Sequence, residues 1–351
     1  MKILFFGELY PRVVHGVSIA NRLNLDCFVT GPDIYVDVIE ENSKINTIGK
    51  ASFSKIKSTI LSAFKIGRRS RKNSYDAFYS VISLSTLGIL KTLCAVYSFH
   101  RKSKGKIIVH LHRGDFSSFY RSRWVIPFLV KLCFLKIDRL IVLSELQKSE
   151  MEKYFPREAI FVVENTVLEE KMLPDFGVKR FGNSFVYVSN FTKEKGIFDL
   201  LSAFRALDQV RLDCYGAFAG NEDEIKASES SSVGIHSSVF GLEKFRLIHS
   251  SSALILPSWN EGQPTIILEA MLVGTPVLTT RVGLIGELLG DEYPFFFLPE
   301  NPEDLAECVE RYIKYEYKSE LSNALRKRYF EFFSQDLHRA KLFNAFGLEN
   351  F

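Results

Sequence analysis

The sequence predicts an α/β protein with two successive open parallel sheets, and three observations lead to this prediction. First, 46% of the 351 residues are hydrophobic and 25% are charged, as in ordinary folded proteins. Second, short apolar runs of strand length alternate with longer amphipathic stretches, which indicates parallel strands joined by helical crossovers. Third, this alternation begins again after Lys171. At roughly 150 residues per domain, the length also favours two domains.

The first half of the chain contains six apolar runs that we predict to be strands. The first, Ile3–Phe6, is stopped by Gly7, and the amphipathic stretch Ile19–Leu25 follows it. The other predicted strands of this half are Cys27–Thr30, Ala77–Ile82, Ile107–His110, Arg139–Leu143 and Ile160–Val163.

The second half follows a linker candidate, Pro174–Gly177, and repeats the pattern. A helical tail, Leu321–Phe346, ends it and has a break near Gln335. Ligands of open α/β sheets bind beyond the carboxyl ends of the strands, so we expect functional residues in the loops after strands. The predicted strands are Phe185–Val188, Arg211–Tyr215, Ser238–Phe240, Ala253–Leu256 and Pro276–Thr279, and the main predicted helices are Phe198–Leu207, Thr265–Leu272 and Asp304–Tyr315.

Composition narrows the location of the protein. No apolar run reaches the roughly 20 residues that a membrane-spanning helix needs. The apolar start is too short for the core of a signal peptide, so we expect a cytoplasmic protein. The cysteines at positions 27, 94, 133, 214 and 308 are scattered. They make neither a disulfide framework nor a paired metal motif, and we expect them to be small core residues.

The formal net charge of +4 conceals an asymmetry between the two halves. Residues 1–172 hold 27 basic and 16 acidic side chains, a net charge of +11, whereas residues 173–351 carry −7. A basic half is expected to face anionic lipid, nucleic acid or a phosphorylated substrate.

Two glutamates eight positions apart, Glu261 and Glu269, form the most informative motif. Glu261 lies in a Gly/Pro loop just after the predicted strand Ala253–Leu256, where it could simply stabilise a helix start. Glu269 lies inside the strongly apolar helix that follows. A buried carboxylate there needs a partner, and ribose hydroxyls would serve. The first-turn amides from Gln263 to Thr265 could point at a diphosphate.

On these residues the chain resembles the family-4 glycosyltransferases of the GT-B fold. The signature is Glu261, seven residues, Glu269, and then Gly-x-Pro-Val at residues 274–277. The resemblance covers the chain from about Met1 to about Pro302. Further matches are Lys193-Glu-Lys195-Gly196, His15-Gly16-x-Ser18 and His110-Leu-His112; Ser189-Asn190 stands where many members carry an arginine.

The resemblance implies two Rossmann-like parallel-sheet domains that face a central cleft. Residues 1–172 would bind the acceptor, residues 173–332 the nucleotide-sugar, and residues 333–351 would form a C-terminal helix that packs back on the first domain. Lys195 would neutralise the diphosphate and Glu269 would hold the ribose. The implied catalytic residues are His112 and Glu261, and the implied donor-binding residues are Gly16, Asn190, Lys195, Gly262, Gln263, Thr265 and Glu269.

The sequence offers no metal motif. It contains no Asp-x-Asp and no His/Cys/Asp/Glu cluster with metal-ligand spacing. We therefore expect an enzyme that needs no metal ion. We also expect no cofactor, because the UDP- or GDP-linked sugar would be a substrate. The leaving group would be stabilised by Lys195 and by helix N-termini.

Two basic apolar segments of the first half favour contact with an anionic membrane surface. Phe53–Tyr75 contains no acid, and Phe53, Ile56, Ile60 and Phe64 are spaced for one helical face. The second segment surrounds the apolar stretch Trp124–Ile137. The residues expected at this membrane or acceptor surface are Lys65, Arg68, Arg69, Arg71, Lys72, Arg121, Arg123 and Trp124.

The resemblance thus implies a metal-independent, hexosyltransferase-type enzyme that retains configuration. Its acceptor would be a lipid-linked saccharide of bacterial surface-polysaccharide assembly, such as O-antigen or lipopolysaccharide, at the cytoplasmic face of the inner membrane. One alternative is another cleft enzyme of this architecture, a phosphorylase or a nucleotide-sugar epimerase. A second is a non-enzymatic basic binding module. Nucleic acid is disfavoured as a partner, because no aromatic residue interrupts the basic run Arg68–Lys72.

Overall fold

The computed structural model describes residues 1–13, 15–31, 33–41, 53–177, 179 and 181–348, with the side chains of residues 53–56 excepted. The chain forms two compact units. Unit 1 comprises Met1–Leu168 and Asp336–Phe351, and unit 2 comprises Glu169–Gln335. The sequence-based domain divisions were placed at residues 172/173 and 332/333.

Unit 1 contains a six-stranded sheet whose paired strands are all parallel, in the order β2-β1-β3-β4-β5-β6. Helices connect successive strands, as parallel pairing requires. The elements are β1 (Lys2–Gly7), α1 (Gly16–Val29), β2 (Tyr35–Glu40), α2 (Phe53–Lys72), β3 (Ala77–Val81), α3 (Thr86–His100), β4 (Lys106–His110), α4 (Phe116–Arg121), α5 (Val125–Phe134), β5 (Arg139–Val142), α6 (Glu145–Met151) and β6 (Ile160–Val162).

The core of unit 1 lies on both faces of this sheet. Leu4 and Phe6 of β1 belong to one buried apolar cluster, and the alternating residues Ile3 and Phe5 belong to the other. This division explains why β1 is a continuous apolar run, because successive side chains point to opposite buried faces.

Unit 2 repeats the architecture with a second six-stranded parallel sheet, in the order β12-β11-β10-β7-β8-β9. The helix α14 (Gln335–Phe346) follows this unit and packs in unit 1. The elements of unit 2 are β7 (Ser184–Val188), α7 (Ile197–Arg205), β8 (Arg211–Tyr215), α8 (Glu222–Lys226), β9 (Val233–His236), α9 (Gly241–Ser250), β10 (Ala253–Leu256), α10 (Thr265–Leu272), β11 (Val277–Thr280), α11 (Ile285–Leu289), β12 (Phe296–Phe297), α12 (Pro302–Lys314) and α13 (Lys318–Phe332).

The α/β fold class with two parallel sheets is confirmed, and two of the predicted strands are wrong. Residues 27–29 of the predicted strand Cys27–Thr30 form the last turn of α1, and Phe28 packs there against Phe346 of α14 at a ring-centroid distance of 4.6 Å. The strand predicted at Ser238–Phe240 instead lies at β9, a few residues earlier. The prediction also missed β2 and β12.

The cysteine prediction holds for three of the five residues. Cys133, Cys214 and Cys308 are buried, whereas Cys94 is exposed and Cys27 is intermediate. Among the described residues, no helix is both long enough and apolar enough to cross a membrane.

Candidate functional site

In unit 2, the structure brings two of the predicted donor-site residues together. Lys195 lies in the loop after β7 and Glu261 in the loop after β10, and β7 and β10 are parallel neighbours. Their carboxyl ends therefore share one edge of the sheet. Lys195 Nζ lies 2.6 Å from Glu261 Oε1, so the cation and the carboxylate form an ion pair. The Lys195 side chain keeps 32% of its surface exposed.

Two glycines hold these loops in place. Gly196 adopts φ +71°, and a Cβ atom there would lie 2.0 Å from the carbonyl oxygen of Pro257. Gly283 adopts φ +57°, and a Cβ atom there would lie 1.9 Å from the carbonyl oxygen of Glu261. Only glycine combines a left-handed backbone with such close approach. Both loops that carry the ion pair are therefore fixed by backbone packing.

Hydrogen bonds reinforce this arrangement. The Trp259 backbone N–H donates to the carbonyl of Glu194 at 2.9 Å, and the Trp259 indole donates to Asp199 at 2.7 Å. The Leu284 N–H donates to the carbonyl of Gly262 at 3.1 Å. Lys195 and Glu261 thus stand on a preorganised support.

Glu269 is buried in α10, with 3% of its surface exposed. Its Oε1 lies 2.7 Å from Nζ of Lys244, which is itself 8% exposed. Burial raises the pKa of Glu269, and the charge of Lys244 opposes that shift. A buried carboxylate paired with one lysine therefore occupies the position where the resemblance implies ribose binding.

Sequence reasoning missed Lys244. The residue lies in the first turn of α9, one turn before the buried Ile248. A lysine on the apolar side of a helix was the available signal, because such a side chain needs a buried acceptor.

The remaining predicted donor residues of unit 2 lie near these side chains in sequence. Asn190 follows β7 and is exposed. Gly262 and Thr265 are partly exposed and Gln263 is buried. The α10 helix begins after Pro264, whose side chain makes no capping hydrogen bond.

In unit 1, the predicted residues Gly16 and His112 also follow strands. Gly16 is the first residue of α1, after β1, and a Cβ atom there would meet nothing within 4 Å. The space beside Gly16 is therefore open, and packing within the described chain does not require glycine at this position. His112 lies two residues beyond β4 and is buried.

His112 belongs to a buried group of histidines. Its ring lies 3.9 Å from that of His110, whose Nδ1 is 2.9 Å from the Tyr79 hydroxyl. The Asn24 amide donates to that hydroxyl at 2.8 Å, and its oxygen lies 2.7 Å from His338 Nε2 on α14. A continuous polar chain thus joins the C-terminal helix to the ring beside His112.

Burial keeps these imidazoles neutral. It lowers the pKa of His112 to about 3 and that of His338 to about 4. The Nε2 atom of His112 is buried and has no hydrogen-bond partner in the described chain. His112 can therefore offer a ligand a neutral imidazole, but no cationic charge near pH 7.

His15 caps the helix that begins at Gly16. The Ser18 N–H donates to His15 Nδ1 at 3.3 Å, so His15 carries its proton on Nε2 and donates it to Glu8 at 2.6 Å. This capping box fixes the first turn of α1. The sequence motif contained His15, but the prediction missed Glu8.

The basic segment of unit 1 is helical, as α2, and most of its basic side chains are exposed. Arg69 differs from the others, because its guanidinium donates to Asp37 and to the carbonyl of Val38. Its charge is thus neutralised within unit 1. The side chains of Phe53 and Ile56, which were also expected on this face, lie outside the described residues. The other predicted surface residues, Lys65, Arg68, Arg71, Lys72, Arg121, Arg123 and Trp124, are exposed.

Metal-ligand geometry is absent from the part of the chain that the structure describes. No group of three or more His, Cys, Asp or Glu side chains there is placed to hold a metal ion.

Comparison with known proteins identifies similar sequences and structures. Residues 170–331, less than half of the chain, match the family model described as "Glycosyl transferases group 1". The chain is 25% identical over 323 residues to the uncharacterized glycosyltransferase MJ1178 of Methanocaldococcus jannaschii. The aligned region covers 88% of this chain and 87% of that protein. It is 28% identical over 127 residues to the putative teichuronic acid biosynthesis glycosyltransferase TuaC of Bacillus subtilis. That match spans 36% of this chain and about a third, 32%, of TuaC.

Among solved structures, HepE from Anabaena, in complex with UDP and glucose, superposes with a TM-score of 0.70 at 16% identity and covers 99% of both chains. This likeness shows the fold. The fold is that of GT-B glycosyltransferases, and the family-model match and the named relatives support glycosyl transfer as the activity.

Proposed function

We propose that the protein transfers a hexose from a nucleotide-sugar to a lipid-linked saccharide, with retention of configuration and without a metal ion. The observation that carries the proposal is the Lys195–Glu261 ion pair, which lies at the carboxyl ends of β7 and β10. The buried Glu269 follows Glu261 by eight residues. These residues lie inside the segment that matches the glycosyltransferase family model.

Each side chain has a role that fits its surroundings. Lys195 neutralises the diphosphate while the bond between the sugar's C1 and the phosphate oxygen breaks and its electron pair leaves with the diphosphate. Glu261 faces the sugar, where positive charge develops. Glu269 accepts hydrogen bonds from the ribose hydroxyls. The acceptor oxygen forms the new bond to C1, and its proton passes to the departing diphosphate oxygen.

The ion pair itself suggests how the donor enters. Lys195 and Glu261 neutralise each other in this structure, and an arriving diphosphate would compete with Glu261 for Lys195. Because Lys195 keeps 32% of its side-chain surface exposed, a diphosphate can reach it from solvent. Glu261 is only 9% exposed, so it needs new hydrogen-bond donors when it loses the lysine, and the sugar hydroxyls would supply them. Glu261 is then free to contact the sugar.

A screen of UDP- and GDP-linked sugars by thermal shift tests donor binding. A ligand at about 100 times its Kd adds roughly 2.7 kcal/mol of stability, which is readily measured. We expect one nucleotide class to stabilise the protein and Lys195→Ala to remove that effect. Turnover that depends on free phosphate would indicate a phosphorylase instead. Activity that is lost in chelator and restored by Mg²⁺ or Mn²⁺ would contradict the metal-independent step.

The exposed surfaces of α2 and α5 support a membrane-bound acceptor. On α2, Phe64 is 68% exposed, and Ile60 and Leu61 beside it are also exposed. Trp124, immediately before α5, is 91% exposed, and Phe128, one turn further along α5, is 60% exposed. Both helices pack against α3. Exposed aromatic residues among basic ones are typical of helices that bind anionic membranes.

We further propose that the protein acts at the cytoplasmic face of the inner membrane, in the assembly of a surface polysaccharide such as O-antigen or lipopolysaccharide. TuaC, named for teichuronic acid biosynthesis, supports the general class of product. The acceptor saccharide would be carried by a lipid in that membrane.

Flotation with phosphatidylglycerol vesicles tests this location. Each Lys or Arg near an anionic surface contributes about 1 kcal/mol, so replacing Arg68, Arg71 and Lys72 with Gln should release the protein. Arg69 is left intact because it is paired. The control replaces three exposed basic residues of unit 2 with Gln: Arg246, Lys314 and Lys327. This variant changes the net charge by the same amount and should still float with the vesicles. Equal release by both triple variants would reject this surface.

A further inference from the structure

The buried carboxylate of Glu269 is only half satisfied. Oε1 lies 2.7 Å from Lys244 Nζ, whereas Oε2 is buried and has no hydrogen-bond partner within the described part of the chain. A buried acceptor without a donor is costly, so a carboxylate oxygen left in this state points to a ligand that supplies the donor.

The lysine fixes which oxygen is left over. Lys244 and Glu269 stand on different helices, α9 and α10, and both side chains are nearly enclosed. The α9 helix begins at Gly241, which adopts φ +58°, so Lys244 falls in its first turn. The Lys244 side chain also lies over the ring of the buried Phe245, with Nζ 5.1 Å from the ring centroid. The packing leaves this ammonium little freedom to leave Oε1.

The charge of the lysine matters as much as its position. Burial, together with the negative charge of Glu169, favours the protonated carboxyl form of Glu269, and the ammonium of Lys244 opposes it. An ionised carboxylate is purely an acceptor, whereas a protonated one carries a donor of its own. Hydrogen bonds to an ionised acceptor are roughly twice as strong as those between neutral groups.

We propose that Lys244 is a positioning residue for ribose recognition: it holds Oε1, keeps Glu269 ionised and leaves Oε2 as the acceptor for the donor's ribose hydroxyls. The inference rests on the proposed function, because it takes Glu269 as the ribose contact. It adds that discrimination between a ribonucleotide and its deoxy analogue depends on a residue that does not touch the ribose.

Isothermal titration calorimetry with UDP and GDP, followed by the 2′-deoxy and 3′-deoxy forms of the better ligand, tests the inference. The wild type should bind the ribonucleotide about 10- to 100-fold more tightly, as expected for lost hydrogen bonds to a charged group. Lys244→Met should bring that ratio close to one. The matched control is Lys226→Met, which removes an exposed lysine paired with Glu222 and should keep the wild-type ratio.

A pH series separates positioning from a merely structural role. Without Lys244, Glu269 should ionise only at higher pH, so the ratio of Lys244→Met should rise with pH. The wild-type ratio should already be constant near neutral pH. Lys244→Gln keeps a hydrogen-bond donor without the charge. It should follow the Met variant, and it replaces that variant if circular dichroism shows that the Met variant does not fold.

The outcomes are distinct. If the wild type discriminates and a folded Lys244 variant discriminates equally at every pH, Lys244 is structural only and the inference is wrong. If the wild type binds UDP or GDP but binds the deoxy forms equally well, Glu269 does not recognise the ribose and this inference is wrong. If the wild type binds neither nucleotide, the proposed function is contradicted as well.

Discussion

The two units present their candidate site residues in opposite electrostatic forms. In unit 1, His112 lies among buried histidines that burial keeps neutral. In unit 2, the predicted carboxylates Glu261 and Glu269 are each paired with a lysine. Neutral imidazoles suit hydrogen bonding to an uncharged sugar, whereas lysines and carboxylates suit a diphosphate and ribose hydroxyls. The contrast teaches that the charged side chains of the candidate site lie in unit 2, whereas unit 1 offers neutral hydrogen-bonding groups.

The two lysine–glutamate pairs of unit 2 also differ from each other. Lys195 keeps a third of its side chain exposed, whereas Lys244 is almost fully enclosed. A ligand can reach the partly exposed Lys195 from solvent, whereas Lys244 and Glu269 are both enclosed, so breaking their pair strands a buried charge. We therefore expect Lys195 to matter for turnover and Lys244 for stability and ribose recognition.

The largest expected effect follows from removing the exposed cation. Lys195→Ala should lower kcat by roughly 10²- to 10³-fold, as for loss of one preorganised electrostatic donor. Steady-state kinetics with the donor identified by thermal shift measures it. The neighbouring exposed Lys193 is the control, and Lys193→Ala should change kcat little. Equal losses in both variants would contradict a specific role for Lys195.

The buried pair should dominate stability instead. Lys244→Met leaves Glu269 without its cation and should reduce the free energy of unfolding by about 3–5 kcal/mol. Urea denaturation followed by tryptophan fluorescence measures the change, because Trp259 lies in unit 2 with Lys244, whereas the exposed Trp124 changes its surroundings little on unfolding. Lys226→Met should leave the denaturation midpoint unchanged. A midpoint for Lys244→Met equal to that of the control would show that the pair is not needed for stability.

The neutral histidines predict an acid sensitivity of unit 1. Burial lowers the pKa of His338 from 6.5 to about 4, so between these values the unfolded chain binds a proton that the folded chain does not. Stability should therefore fall as pH drops through this window, by about 1.4 kcal/mol per pH unit for each such histidine. The melting temperature of His338→Gln should depend less steeply on pH between 6.5 and 4. An unchanged slope would show that folding does not lower the pKa of His338.

The smallest expected effect concerns the open space beside Gly16. Gly16→Ala adds a methyl group that has nothing within 4 Å among the described residues, so the melting temperature should not fall. If a ligand uses this space, donor affinity should drop by roughly 2- to 12-fold, the value of one hydrogen bond. Thermal shift and calorimetry measure the two quantities separately. Unchanged affinity would remove Gly16 from the donor-binding set.

The sequence was most informative where local pattern alone determines structure. The bounds of β8, β10 and α10 are those predicted, because each apolar run is flanked by turn or loop residues. The end of α1 was mistaken for a strand, since Cys27, Phe28 and Val29 form a short apolar run. Its helical state depends on Phe28 packing against α14, more than 300 residues away in sequence.

The same limit applies to the site. Glu261, Glu269 and Lys195 were identifiable because they belong to a spaced motif. Lys244 and His338 were not, because their importance arises from contacts with Glu269 and Asn24 that only the folded chain creates.

The central claim is that the two glutamates of unit 2 form the donor site with separate roles, and paired kinetics tests it most directly. Ribose contacts are equal in the ground and transition states, so Glu269→Gln should raise KM for the donor more than it lowers kcat. Charge develops at the sugar as the bond to the diphosphate stretches, so Glu261→Gln should lower kcat with less change in donor binding. Near-normal kcat and KM in both folded, monodisperse variants would contradict the account.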